Sequence, residues 1–196
     1  MSQRKAIITR DTKETSIKIE LNIDGKGIFE ITTGIRFFDH MLCQLAKHGI
    51  FDIKLSATGS DQHHVVEDVG ICLGKALNQA LGNRTGIVRM AHAIVPMDDV
   101  LAMIALDLGG RGFSVIDISF SHPSISEMPA DLIRHFLISF ASEAKINIHA
   151  KIFVGVNDHH KAEAIFKALA RALDTATRVD MRIDGKTPST KEVIDN

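Results

Sequence analysis

No stretch of this chain stays apolar for the roughly 18 residues that a helical membrane crossing requires, so a bilayer-spanning helix is excluded. The N-terminal segment MSQRKAIITRDTKET returns to charge before an apolar run of leader-peptide length can develop, and the expectation is a cytoplasmic protein. A surplus of basic charge is missing too. Lys and Arg number 23 against 24 for Asp and Glu, a formal net charge of -1, so neither a nucleic-acid partner nor a membrane surface is expected. Cysteine is scarce: Cys43 and Cys72 stand alone, without Cys-x-x-Cys spacing, each inside an apolar helical pattern, and both read as core thiols. Linkers and low-complexity segments are also absent. With 45% hydrophobic residues over 196 positions, the chain can bury a core without disulfide staples.

What the chain does have is histidine, ten residues of it, and self-similarity. The segment starting at His40 (HMLCQLAKHGIFDIKLSATGSDQHHVVEDVGICLGKAL) can be laid over that starting at His135 (HFLISFASEAKINIHAKIFVGVNDHHKAEAIFKALARAL). In each, a histidine is followed after 23 or 24 residues by His-His-x-x-Glu and then by an apolar helical pattern. Further back, SIKIELNIDGKG from Ser16 resembles LAMIALDLGGRG from Leu101, alternating apolar residues that run into a glycine turn.

Each half therefore reads strand, strand, helix, strand, helix. The first half predicts strands over 16–23, 27–32 and 51–57 and helices over 36–48 and 63–81, the latter stopped by Gly49 and Gly82. The second predicts strands over 101–108, 113–119 and 146–154 and helices over 129–144 and 159–178. Loops fall at 59–62, 109–112 and 121–129, and the polar C-terminal tail is expected to lack regular structure. The fold class is α+β: two pseudo-equivalent halves, 1–90 and 91–196, forming one compact unit with helices packed between two β-sheets.

The histidines fall in a pattern that binds metal. At the start of a helix, His63 and Glu67 share a face four residues apart and can grip one ion, whereas His64 points about 100° away and should look toward a second. His159, His160 and Glu163 repeat the arrangement, and His40 and His135 add one donor each from the preceding helices. Six imidazoles and two carboxylates divide evenly into two sites. One grouping is His63, Glu67, His135 and His160, with His159, Glu163, His40 and His64 as its mate; donors from different subunits are the alternative. Mixed nitrogen and oxygen donors without thiolate suit Mn²⁺, Fe²⁺ or Zn²⁺ in an open site. His92, His122 and His149 have no counterpart in the other half and read as ordinary.

At these residues the chain resembles the imidazoleglycerol-phosphate dehydratase family over essentially its whole length. The resemblance is carried by TKET around Lys13, TGIRFFDHML with KHG, HHVVEDVGICLGKAL, PMDD with ALDLGGRG, the HF at 135, GVNDHHKAEAIFKALARAL and PSTK. It implies a cytoplasmic or plastid lyase of histidine biosynthesis with two bound Mn²⁺ ions, whose trimers are assembled by metal into a 24-subunit homo-oligomeric shell. The family's metal ligands fall on His40, His63, His64, Glu67, His135, His159, His160 and Glu163, and its substrate and phosphate contacts on Glu14, Arg89, Arg111, Lys167, Ser189 and Lys191. There are departures. The GSDQ loop before His63 is about three residues shorter than usual. Val65 stands where Thr is common, Asp99 where Glu is usual, Gly109 where Ser is, and Glu192 where Gly is.

The implied reaction takes water from D-erythro-imidazoleglycerol phosphate and leaves imidazole acetol phosphate. The C–H bond to be broken has no carbonyl beside it, so the imidazole must act as the electron sink, with cations on its ring nitrogens and a diazafulvene-like intermediate. Glu14 is the expected proton-transfer group. Two rivals use the same donors: a dinuclear metallohydrolase, and a protein in which metal only stores or holds subunits together.

Overall fold

The structure is a computed structural model that describes residues 4–183 and 185–194. Alternation in the sequence becomes one-sided burial. In β2 (Thr15–Asn22) the residues Ile17, Ile19 and Leu21 point inward while their neighbours face out. It pairs antiparallel with β1 (Lys5–Asp11) and with β4 (Asp52–Gly59), and β4 pairs in parallel with β3 (Phe29–Thr32), giving the order β1-β2-β4-β3. The parallel pair needs a crossover, which α1 (Arg36–Gly49) supplies; α2 (Gln62–Leu81) follows β4.

The same order of elements then recurs. A second sheet, β5-β6-β10-β7, is built from β5 (Met90–Met97), β6 (Val100–Asp107), β7 (Phe113–Asp117) and β10 (Asn147–Val154). The crossover between parallel β7 and β10 is α3 (Asp131–Ala144), and α4 (Asp158–Thr177) closes the half. A small hairpin, β8 (Ser124–Ile125) with β9 (Met128–Pro129), lies between β7 and α3 and has no counterpart in the first half. The tail begins with a short 3-10 turn at Met181–Ile183. Among the described residues no helix is long and apolar enough to cross a membrane.

The four helices lie where the helical periodicity predicts them, but each four-stranded sheet has one strand more than expected, β1 and β5, and the β8–β9 hairpin falls in the segment 121–129 expected as loop. β1 and β5 are both edge strands. β1 (KAIITRD) mixes charge into its inward positions and fully buries only Ala6, and β5 (MAHAIVPM) carries Pro96, which an edge strand tolerates because its missing N–H costs no ladder bond. Weak alternation of this kind is what an edge position permits.

Helices from opposite halves pair with each other. α2 covers β1 and β2 and packs against α3, while α4 covers β5 and β6 and packs against α1. Between them Phe38, Phe136, Phe140 and Phe166 form a buried aromatic cluster, with Phe136 5.5, 5.9 and 5.3 Å from the other three ring centroids. Burying each ring contributes about 1.5–3 kcal/mol. α2 and α3 approach closely because Gly70 and Gly74 carry no side chain at the crossing: a Cβ on Gly74 would lie 2.7 Å from the Phe140 carbonyl oxygen.

The halves are also tied by Arg84, wholly buried in the turn after α2. Its guanidinium donates to the carbonyls of Leu108 (3.0 Å), Ala144 (2.9 Å) and Lys145 (2.9 Å) and to the Asn78 side chain, so a buried charge sits among acceptors from three segments.

Candidate functional site

Both His-His-x-x-Glu motifs open a helix, and a polar cap residue fixes each opening. Asp61 accepts from the His64 N–H at 2.9 Å; Asn157 accepts from His159 and His160 N–H at 3.0 and 3.2 Å. Adjacent rings then diverge by the helical twist. His63 and His64 stand at 88° to each other, and so do His159 and His160.

The cross-half pairing of helices brings donors together in two groups. In the first, His40 of α1 meets His159 and Glu163 of α4, with Glu163 Oε2 3.2 Å from His40 Nε2 and 3.4 Å from His159 Nε2. The other carboxylate oxygen takes Lys167 Nζ at 2.7 Å. Burial pushes the Glu163 carboxyl up, but hydrogen bonds from Lys167 and His40 outweigh it and hold it below its ordinary value. Phe37 walls this group with its ring 5.2 Å from that of His159.

In the second group, His135 of α3 meets His63 and Glu67 of α2. Glu67 lies 3.4 Å from His135 Nε2 and 4.0 Å from His63 Nε2, and the two rings are 4.5 Å apart. In each group the three donor atoms lie within 4.8 Å of one another. The arrangement fits a divalent cation: all donors are imidazole nitrogen or carboxylate oxygen, and His135 Nε2 is buried with no hydrogen-bond partner among the described residues, a cost that a bound cation would remove.

His64 and His160, expected as the fourth donors, belong to neither group within this chain. His64 Nδ1 lies 3.1 Å from both Ser60 Oγ and Asp61 Oδ2, and its Nε2 is 3.8 Å from Glu14 Oε1. His160 Nδ1 lies 2.8 Å from Asp99 Oδ1, with Asp98 3.5 Å from Nε2. Helix geometry explains why each must leave its neighbour's group, but spacing alone carries no information on where it goes.

Arg89, Arg111, Ser189 and Lys191 line one cavity of about 560 Å³, floored by Gly109 and roofed by the tail. Arg89 is held by two bonds to Asp107 (2.7 and 3.0 Å) and donates a third to the Pro188 carbonyl at 2.7 Å, which fastens the PSTK segment over the cavity. That hydrogen-bonded pairing with Asp107 raises the Arg89 pKa further above its ordinary value. A Cβ on Gly109 would press to 2.9 Å on Asp107 Oδ2 and 3.0 Å on Arg89 Nη2, so this departure leaves room for the ion pair. Lys167 lies apart from this cavity, between Glu163 and Met97 Sδ at 3.3 Å, and Glu14 lies at the β1–β2 hairpin tip beside His64.

Several participants lay in the motifs of the resemblance without a role being assigned to them. Asp107 fixes Arg89, and Asp98 and Asp99 flank His160; extending the repeat back by two positions, so that Glu14 overlies Asp99, would have suggested a role for the last of these. Asp158 is another. Its buried carboxylate takes Ser121 N–H (2.8 Å), His122 N–H (2.9 Å) and Lys161 Nζ (2.8 Å), clasping the loop after β7 to the start of α4, and His122 Nδ1 lies 3.1 Å from it. Gln62, at the equivalent start of α2, instead reaches across to the second half, donating to the Glu127 carbonyl at 3.1 Å, while the Glu127 side chain accepts from Phe37 N–H at 2.8 Å.

Residues 33–173 match the model of the family described as imidazoleglycerol-phosphate dehydratase. The chain is 60% identical over 196 residues, all of both chains, to the protein of that name from Dehalococcoides mccartyi (strain ATCC BAA-2266 / KCTC 15142 / 195). It is 53% identical to that from Roseiflexus sp. (strain RS-1), over 98% of each. Among solved structures, the Pyrococcus furiosus IGPD in complex with (S)-C348 superposes with a TM-score of 0.84 at 34% identity, covering 95% of this chain and 100% of that one.

Proposed function

The chain belongs to the imidazoleglycerol-phosphate dehydratase family of hydro-lyases, and from that premise we propose that it converts D-erythro-imidazoleglycerol phosphate to imidazole acetol phosphate and water in histidine biosynthesis. The observation that carries the metal-dependent form of this reading is the pair of three-donor groups, one of them holding a buried imidazole nitrogen without a partner.

In this reading two Mn²⁺ ions are held by His40, His159 and Glu163 and by His63, Glu67 and His135, with His64 and His160 completing the sites of neighbouring copies in a homo-oligomer. Support comes from exposure: the side chains of His63, His40 and His159 remain 52, 42 and 43% accessible, so a fourth imidazole from outside can reach each group. A metal-assembled shell of the kind the family resemblance implies follows from donors crossing subunit boundaries, and a cytoplasmic location remains the expectation.

When bound, the cations withdraw electron density from the substrate's imidazole and so substitute for the missing carbonyl. The chain's own groups do the rest. Glu14, exposed at a hairpin tip and 3.8 Å from His64, takes the proton from the glycerol chain. Arg89, Arg111, Ser189 and Lys191 hold the phosphate through fixed cationic and hydroxyl donors in the cavity they share. Lys167, bound to Glu163, keeps that carboxylate ionised and aimed at the two imidazoles.

Metal analysis combined with a dehydratase assay before and after chelation tests the proposal. Chelation should remove activity and shrink the particle, and Mn²⁺ should restore both. A metal-free chain that still dehydrates would refute the metal-dependent reading, and release of inorganic phosphate in place of water would point to a hydrolase.

A further inference from the structure

The two halves each place an acidic residue immediately before the second strand of the first hairpin, Glu14 before β2 and Asp99 before β6, and each faces the second histidine of its half's motif. What holds them differs. Among the described residues the Glu14 carboxylate accepts no hydrogen bond, and its side chain is 60% exposed. Asp99 is fully engaged: Oδ2 accepts from the Val156 N–H (2.7 Å) and the Asn157 N–H (3.1 Å), and Oδ1 faces His160 Nδ1 at 2.8 Å.

A carboxylate at neutral pH only accepts, so the hydrogen of that last contact sits on His160 Nδ1. In the neutral ring this leaves the lone pair on Nε2, the nitrogen that Asp98 Oδ2 approaches to 3.5 Å and the one with which such an imidazole binds a cation. His64 is held differently: its Nδ1 is hydrogen-bonded to Ser60 Oγ at 3.1 Å, with the carboxylate of the helix cap Asp61 also 3.1 Å away. The equivalent cap in the second half is Asn157, whose single side-chain oxygen is already taken by the N–H groups of His159 and His160. In the second half a hairpin-tip carboxylate faces the ring, whereas in the first half Ser60 and Asp61 at the helix start face it and the hairpin-tip Glu14 makes no hydrogen bond among the described residues.

We infer that Asp99 is a positioning residue that orients His160 as a metal donor, while its counterpart Glu14 is released for contact with substrate. This rests on the metal-binding reading above. By the general behaviour of groups that orient metal-bound imidazoles, Asp99→Ala should weaken Mn²⁺ binding about 10–100-fold, measured by competition with a chelator. Glu14→Gln should leave that affinity unchanged. The decisive variant is Asp99→Ala combined with Asn157→Asp, which installs at the second cap the carboxylate that Asp61 provides at the first; it should recover most of the lost affinity. Wild-type affinity in Asp99→Ala overturns the inference. Loss of affinity that Asn157→Asp fails to recover also overturns it, because Asp99 would then only anchor the hairpin. No Mn²⁺ uptake by the wild-type chain would instead overturn the metal-binding reading, and this inference with it.

Discussion

The hydroxyl of Thr15 donates to the carboxylate of buried Asp68 at 2.5 Å, joining the first residue of β2 to the residue that follows Glu67 on α2. The other Asp68 oxygen lies 3.0 Å from Arg10 Nε on the neighbouring strand. The hairpin that presents Glu14 is therefore locked against the helix that presents His63 and Glu67, by a group the second half lacks: Ala164 takes the place of Asp68 there. Glu14, the proposed proton-transfer group, and His63 and Glu67, the proposed metal donors, are held at a fixed spacing by one carboxylate.

Asp68→Ala should lower stability by about 1–3 kcal/mol, since it leaves a buried hydroxyl and a guanidinium without their partner. Chemical denaturation reads this directly. Turnover should fall further than the stability loss accounts for, with metal content unchanged; a variant with normal kcat would show that Glu14 needs no such anchoring.

Glu14→Gln should retain metal and the assembled state and lose about two to four powers of ten in turnover, because the amide cannot take a proton. Steady-state kinetics on the metal-loaded protein decides the matter. Undiminished kcat removes Glu14 from the chemistry.

Gly74→Ala should separate α2 from α3. The added methyl meets backbone, the Phe140 oxygen at 2.7 Å and the Ala144 nitrogen at 2.9 Å, and overpacking of this kind costs about 1–3 kcal/mol. The gain in helix propensity, about 1 kcal/mol, does not offset the upper part of that range. Since His63 and Glu67 stand on one helix and His135 on the other, weaker metal retention should accompany the lower unfolding midpoint. A more stable variant with full metal content would mean the crossing can relax freely.

Burial pushes the Cys72 thiol up to about 11. The folded chain thus keeps its proton where the unfolded chain, with a thiol pKa of about 8.5, gives it up. The sign follows: this contribution to stability is complete below about pH 8.5 and declines as pH rises toward 11. Unfolding midpoints measured across that window should fall less steeply in Cys72→Ala than in the wild type, and at pH 8 thiol reagents should reach Cys72 only after denaturation.

The helices were legible because apolar residues recur at their period and Gly82 follows α2 as a stop; Gly49, expected to stop α1, is instead its last residue, and Ile50 takes the left-handed cap at φ 59°. β1 and β5 were not, since an edge strand needs only part of its pattern to be apolar. The convergence of His63 with Glu67, and of His159 with Glu163, follows from a spacing of four on a helix. Arg89, Arg111, Ser189 and Lys191 share no local pattern, and only the family resemblance drew them together before the fold brought them around one cavity. Asp158 escaped notice for a different reason: its partners are the main chain of Ser121 and His122, a distant loop that no spacing reveals.

Neither donor group is complete within one half, since α1 lends His40 to α4 and α3 lends His135 to α2. A polypeptide of half this length could make them only by pairing with a twin, and the two centres would then be identical by symmetry. Fusion lifts that constraint. Once joined, the twins can drift apart one substitution at a time, and a scaffold of near-equal ends can learn to tell the ring of an asymmetric molecule from its tail.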